Sequence, residues 1–253
     1  RHGIGKDVAP LTGENRTIVK LGMEALPGTR HPFLRGLLDA AGISGGPIRS
    51  HHLAFRLGPR LNAPGRMDDA TFVVDLLLGR DRDGTAAGLE RIEACNRRRK
   101  EDQERTAAEA EAQVSREDAV LLASGDGWPL GVIGLVAGRL AQQYGRPALV
   151  FSRGGGMARG SGRGVPGLSL VEILQPHAGL FRSFGGHDSA CGITVDLDRW
   201  AAAERAIRTA FEAIPPPGPP PIEAEAEVTF GELEDGAVLG YIEAMEPFGP
   251  GNA

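Results

Sequence analysis

Cysteine is scarce in this 253-residue chain, and what there is stands alone. Cys95 and Cys191 form no CxxC and have no histidine at ligand spacing, which argues against a disulfide framework or a cysteine-held zinc site and sets the reducing cytoplasm as the expected compartment. No run of about 18 apolar residues is present to span a membrane. The opening residues, RHGIGKDVAP, lack the apolar segment of a secretory signal. Lysine is nearly missing: of 28 basic residues only Lys6, Lys20 and Lys100 are not arginine, a bias that GC-rich coding explains as readily as function does. Basic residues vanish altogether from 214–253, which carry eight acids, whereas residues 1–66 hold ten Arg/Lys against four Asp/Glu. The net charge of −5 therefore conceals a basic first part and an acidic tail, and it does not exclude a nucleic-acid partner.

What is present organises the chain into an α/β protein. ENRTIVKLGMEAL places Ile18, Leu21, Met23 and Leu26 at roughly helical spacing, and PFLRGLLDAAGI (Pro32–Ile43) reads as a short helix closing at Gly42. ATFVVDLLL (Ala70–Leu78) is a third helix. From Thr85 to Arg116 strong helix formers with few apolar residues predict a long, mostly solvated helix joining two bodies. AVLLA (119–123) and PALVF (147–151) read as buried strands flanking a helix, GVIGLVAGRLAQQ, with Val132, Val136 and Leu140 on one stripe and Gly134 and Gly138 allowing close approach to a sheet. A further helix (SLVEILQPHAGLF), a strand (CGITVD) and a closing helix (Arg199–Ile214) complete this β-α-β unit. Pro215–Pro221, PPPGPPP, is a stiff spacer and the clearest boundary. EAEAEVTF beyond it alternates like a strand.

Three stretches suit anions. In FRSFGGHDSACG, bare amides at Gly185 and Gly186 beside His187 can surround an anion, although the same letters describe a tight turn before a strand. In RGSGRGVPG (Arg159–Gly167), Gly160, Ser161, Gly162 and Gly164 clear space around Arg163, whose planar guanidinium pairs well with phosphate, although Gly/Ser/Arg loops are also common linkers. In FRLGPRLNAPGRMDDA, Arg56, Arg60 and Arg66 lie close together with Asn62 between two of them, a cluster able to contact backbone phosphates without reading bases, or simply a solvated charged loop.

In this order the motifs resemble the RecJ family of single-strand-specific DNA exonucleases, within the DHH phosphodiesterase superfamily. DVAPLTGENRTIVKLGMEAL is similar to the end of a DHH catalytic domain, and FRLGPRLNAPGRMDDA to the family signature running into a connecting helix. GWPLGVIGLVAGRL, GSGRGVPG and FGGHDSACG match in order a DHHA1-type substrate domain, and EPFGPGNA resembles the start of an OB-fold. The resemblance implies the following boundaries: the end of a DHH domain over 1–84, a connecting helix over 85–117, a DHHA1-like domain over 118–214, and a linker with a truncated OB-fold over 215–253. It implies 5′→3′ exonuclease activity on single-stranded DNA in repair and recombination, with Mn²⁺ or Mg²⁺ in a two-metal mechanism, since hard cations prefer oxygen ligands and two ions can stabilise attacking and leaving oxygens together. Single-strand binding protein or a helicase is an implied partner.

Carried over residue by residue, Asp7 matches the last metal-binding aspartate, Arg163 the substrate-domain arginine, and Gly185, Gly186 and His187 the Gly-Gly-His motif. The family's Asp-x-Asp pair, a further Asp and the Asp-His-His triplet belong before the Asp7 segment, so the 253 residues alone are expected to bind a strand weakly and hydrolyse nothing. His51-His52, DRD at 81–83 and DLD at 196–198 lie in the wrong places to replace them. Lys6 beside Asp7, Pro129 in place of a usual histidine and Gly164 in place of a usual serine depart from the pattern. The alternatives are an oligonucleotide or cyclic-dinucleotide phosphodiesterase of the superfamily, and a non-catalytic nucleic-acid-binding module of the kind attached to alanyl-tRNA synthetases. The nuclease reading expects Arg60, Arg163 and His187 to face one groove.

Overall fold

One 27-residue helix, α7 in chain order (Thr85–Glu111), contains the point at which the polypeptide divides into two units, between Arg97 and Arg98. The computed structural model describes residues 10–43, 45–80, 84–215, 227–234 and 236–252. Asp7, the DRD at 81–83 and most of the proline-rich spacer lie outside them.

The first unit is helical. Helices α1 (Gly13–Ala25) and α2 (Pro32–Ala40) are followed by an almost unbroken run of α3 (Ser50–His52), a π-helical segment (Leu53–Leu57), α4 (Gly58–Asn62) and α5 (Pro64–Met67), then α6 (Thr71–Leu77) and the first half of α7. Gly42 ends α2: its φ of +66° lets the Ile43 amide donate to Leu38 O at 3.0 Å and its own amide to Asp39 O at 2.9 Å, a Schellman closure. Phe33, Leu37, Leu38, Ile43, Leu57, Val73, Leu76 and Ile92 form the core. On α1 the buried residue is Met23, with the half-buried Val19 and, just past the helix, Leu26 against the same core, whereas Ile18 and Leu21 are 67% and 58% exposed. The arginine-rich stretch expected as a loop is helix, because Pro59 and Pro64 fall in the first turns of α4 and α5, where a missing amide is tolerated.

The C-terminal residues pack in this same unit. Among those described, 227–252 hold two helices, α11 (Phe230–Glu234) and α12 (Ala237–Ala244), and no regular strand, so the strand that the alternation in EAEAEVTF predicts does not extend to Phe230. A capping box decides it: Glu232 N donates to Thr229 Oγ1 (3.3 Å) while Glu232 Oε2 accepts from Thr229 N (2.8 Å). The acidic tail meets the basic first part of the chain here. Arg49 pairs with Glu243 (3.1 Å) and Glu246 (3.5 Å), Arg16 donates to Met245 O (2.9 Å), and Phe248 N donates to Ser50 Oγ (2.8 Å).

The second unit is built on a five-stranded sheet of order β1-β2-β3-β5-β4. Its elements are β1 (Leu121–Asp126), α8 (Leu130–Tyr144), β2 (Ala148–Gly154), β3 (Met157–Arg163), α9 (Leu170–Leu174), β4 (Ser183–His187), β5 (Ala190–Asp196) and α10 (Trp200–Glu212). β1 and β2 are parallel across the α8 crossover, and every other pairing is antiparallel. One face buries Leu122, Leu149, Phe151, Ile193 and Val195 under α9 and α10, with the Phe151 and Trp200 rings edge-to-face at 4.7 Å. The other face buries Leu121, Ala123, Ala148 and Val150 under α8 and the second half of α7, and here the predicted stripe holds, since Val132, Val136 and Leu140 have no exposed surface. β3 and β4 replace the two loops read at RGSGRG and FGGH. Gly160 and Gly162 sit in β3 because a Cβ at either would meet the Phe151 ring (2.3 Å) or Cys191 Sγ (2.5 Å). Among the described residues no helix is long and apolar enough to cross a membrane.

Candidate nucleic-acid interface

Register assembles the site. In antiparallel pairs, residues directly opposite one another share a face of the sheet. Arg163 of β3 pairs with Ala190 of β5, which pairs with His187 of β4. One rung along, Ser161 pairs with Gly192 and Gly192 with Gly185. One rung further, Arg159 pairs with Thr194 and Thr194 with Ser183. All nine residues belong to the α8 side of the sheet, whose helix packs on β2 and β3. On β4 and β5 that side is open: Ser183, Gly185, His187 and Gly192 are exposed. The two stretches whose glycines suggest separate loops are thus strands of one surface, joined through β5.

Arg163 is held in place by its own neighbours. Its Nη1 donates to Ser161 Oγ at 2.9 Å and to Gly162 O at 2.8 Å. α8 comes close at Gly134, where a Cβ would lie 3.0 Å from both Arg163 Nη2 and Ser161 Oγ, so the expected close helix–sheet approach falls at the candidate arginine. The start of α8 is fixed by Trp128, whose indole lies against Gly125, donates from Nε1 to Glu109 Oε2 at 2.6 Å, and whose carbonyl accepts from Ser152 Oγ at 2.6 Å. The turn joining β4 to β5 is tied to the segment after β3, since Gly164 N donates to Ser189 O, Leu170 N to Asp188 O, and Ser169 Oγ to Asp188 Oδ1.

The glycine pair separates into two roles. Gly186 has φ +153°, and a Cβ there would lie 2.3 Å from Ala190 O and 2.6 Å from Cys191 Cα, so its near neighbour is the partner strand. At Gly185 nothing lies within 4 Å. Beneath Gly186, the Cys191 thiol is pushed up to about 11 by burial, against smaller lowering by the Gly162 backbone and Arg163, which leaves it a neutral, inert part of the core.

In the first unit the arginine cluster divides as well. Arg60 acts as an internal tie: Nε donates to Glu93 Oε1 (2.7 Å), Nη1 to Arg56 O (2.8 Å) and Nη2 to Ala40 O (3.1 Å), with only 16% of its side chain exposed. Arg56 is exposed and donates to Gly42 O at 3.1 Å, while Asn62 and Arg66 are exposed on α4 and α5.

No three His, Cys, Asp or Glu side chains among the described residues gather as metal ligands, so these residues do not fit a two-metal centre. Asp196 of the DLD stretch is paired with Arg182 at 3.0 Å. His52 Nδ1 accepts the Arg49 amide at 3.1 Å, and burial, then the adjacent His51 and Arg56, hold its pKa below the usual imidazole range.

Residues 117–214 match the DHHA1 domain family. The single-stranded-DNA-specific exonuclease RecJ of Dickeya dadantii is 34% identical over 211 residues, covering 78% of this chain and 37% of the relative. RecJ of Thermus thermophilus is 32% identical over 252 residues, covering 97% of this chain and 36% of the relative. The crystal structure of Thermus thermophilus RecJ with Mg²⁺ superposes with a TM-score of 0.85 at 29% identity, over 97% of this chain and 38% of that one. Its complex with Mn²⁺ gives the same score over 97% and 37%. These matches define the class, an α/β protein carrying a DHHA1 domain. The chain belongs to the RecJ family, and it spans a little over a third of the length of the relatives it matches.

Proposed function

We propose that this chain supplies the strand-holding part of a single-strand-specific DNA exonuclease, and that the α8 side of the sheet, open over β5 and β4 and bordered by Arg163 of β3, takes a backbone phosphate of a DNA single strand. The observation that carries the reading is the row formed by Arg163, Ala190 and His187, with Ser161 and the exposed Gly185 and Gly192 beside it. A guanidinium already oriented by a hydroxyl and a carbonyl is prepared to pair with a phosphate, and the glycines leave the sheet backbone accessible to a sugar–phosphate chain. Arg56, Asn62 and Arg66 would add phosphate contacts from the first unit, and Asp7 a metal ligand. On this reading degradation runs 5′→3′ and needs Mn²⁺ or Mg²⁺ held by carboxylates beyond those described, with single-strand binding protein or a helicase supplying the exposed ends.

Fluorescence anisotropy with 5′-phosphorylated oligonucleotides tests the binding step. The 253-residue chain should bind a single strand weakly and in preference to a duplex, and Arg163→Gln should weaken binding about tenfold, the loss of one charge-assisted contact. With labelled oligonucleotide and Mn²⁺ the same chain should release no product. Equal binding of duplex and single strand, or an Arg163→Gln variant indistinguishable from the parent, would sink the reading.

A further inference from the structure

Arg159 has no task in the reading above. It is exposed in the middle strand of the sheet and, unlike that of Arg163, its side chain makes no hydrogen bond or ion pair among the described residues. It points to the same side of β3 as Ser161 and Arg163, opposite Thr194 and, one strand further, Ser183. The three rows from Arg163 to Arg159 contain two arginines, a histidine and three hydroxyls, and no acid. Of the carboxylates around it, Asp188 beside His187 accepts from Ser169 Oγ (2.9 Å), Asp196 is paired with Arg182 (3.0 Å) and Glu109 accepts from the Trp128 indole (2.6 Å). Asp126 and its partner Arg153 belong to the opposite side of the sheet, by the alternation of β1 and β2.

The spacing gives this patch a direction. Arg159 and Arg163 are four residues apart on one strand, about 13 Å at 3.3 Å per residue. That is two steps of an extended polynucleotide backbone. Between them lies the Ser161–Gly192–Gly185 row: α8 covers Ser161 at Gly134, and the bare positions Gly192 and Gly185 stay exposed, so a sugar–phosphate chain can pass over β5 and β4 within reach of both arginines.

We propose that β3 borders a phosphate track over β5 and β4: Arg163 with His187 takes one backbone phosphate of a DNA single strand, and Arg159 with the Thr194 and Ser183 hydroxyls takes the phosphate two nucleotides further along. The inference rests on the single-strand reading given above. Contacts of this kind set register and are indifferent to base identity, so Arg159 lengthens the footprint without adding sequence preference.

The test uses the 253-residue chain and 5′-phosphorylated oligothymidylates of one to six nucleotides competing with a labelled 12-mer. Affinity should step upward when the third phosphate is added. Arg159→Gln should remove that step, lower 12-mer affinity about tenfold and reduce the slope of log K against log salt by about 0.7, while leaving the mononucleotide unaffected. Arg159→Lys should restore most of the salt slope, and Arg163→Gln should weaken every length. A parent chain that binds none of the oligonucleotides would remove the single-strand reading and this inference with it. A parent chain whose affinity climbs with length, with Arg159→Gln climbing identically, would overturn the track alone.

Discussion

Alanine at Gly186 and alanine at Gly185 should have opposite consequences, although the two residues are neighbours in one strand. At Gly186 the new Cβ would fall 2.3 Å from Ala190 O, 2.6 Å from Cys191 Cα and 2.9 Å from Cys191 Cβ, all atoms of the strand to which β4 is paired. Carbon needs about 3.5 Å in such contacts, so the overlap exceeds an ångström and no flexible side chain can move aside to relieve it. The φ of +153° adds the strain of a backbone conformation that L-residues avoid. Strain of about 1–3 kcal/mol, together with rungs lost at the Gly186–His187 end of the hairpin at about 1 kcal/mol each, amounts to roughly 2–4 kcal/mol. For a unit of this size that lowers Tm by about 8–16 °C. At Gly185 the Cβ meets open space, and the expected change is under about 2 °C. The protein carries its own reporter, because both tryptophans, Trp128 and Trp200, lie in the sheet unit and their fluorescence follows its melting alone. Gly185→Ala should instead weaken single-strand binding, since its methyl projects from the open face. A Gly186→Ala melt within about 2 °C of the parent, or equal losses in the two variants, would refute the division of roles.

Three further outcomes follow from the same contacts. Cys191 is held near 11 in the folded unit, against about 9.0 for a free thiol, so between roughly pH 9 and 11 the unfolded chain has released a proton that the folded one keeps. Stability should then fall as pH rises, by about 1.4 kcal/mol per unit, and urea titrations followed by tryptophan fluorescence should show a shallower fall in Cys191→Ala; parallel curves would count against it. Gly134→Ala should press on the Arg163 guanidinium and the Ser161 hydroxyl, 3.0 Å away, and lower single-strand affinity several-fold, while the helix itself gains up to about 1 kcal/mol from alanine; unchanged binding in the anisotropy assay would contradict this. Arg60→Ala removes three donors from Glu93, Arg56 O and Ala40 O and should destabilise the first unit by about 2–3 kcal/mol, read by amide hydrogen exchange in α2 and α4, with Arg60→Lys restoring less than half because an ammonium cannot span the same three acceptors.

The elements with a strong period were legible in the chain. Val132, Val136 and Leu140 mark the buried stripe of α8, and the paired glycines of that helix do lie where it nears the sheet. The helix across Thr85–Glu111 was legible from composition, but apart from Ile92 its buried residues were not, because Cys95, Asn96, Asp102, Thr106, Ala107 and Ala110 are small or polar and carry little hydrophobic signal. Charge segregation was visible and its structural consequence was not: Glu243 and Glu246 meet Arg49 nearly two hundred residues away, a pairing that only the tertiary fold creates. The Thr229–Glu232 capping box was written in the letters TFGE and was outweighed by the alternation preceding it.

β3 shows why the candidate site itself was half legible. RGSGRG alternates with period two, as a half-buried strand should, but its inward positions are Gly160 and Gly162 where a strand usually carries valine or isoleucine. Glycine there signals a loop when residues are weighed singly, yet Phe151, Cys191 and Leu170 already fill the space a side chain would need. The core is built from the neighbours, and the strand lies closer to them for lacking side chains of its own. That same exchange leaves Arg159, Ser161 and Arg163 on the outward positions of a strand fixed on both sides by full ladders to β2 and β5. A loop carrying these three residues would have to lose its own conformational freedom on binding a phosphate chain. A central strand presents them already aligned at a fixed spacing, so the glycines that make the strand look like a loop also leave its arginines placed to hold an extended polyanion.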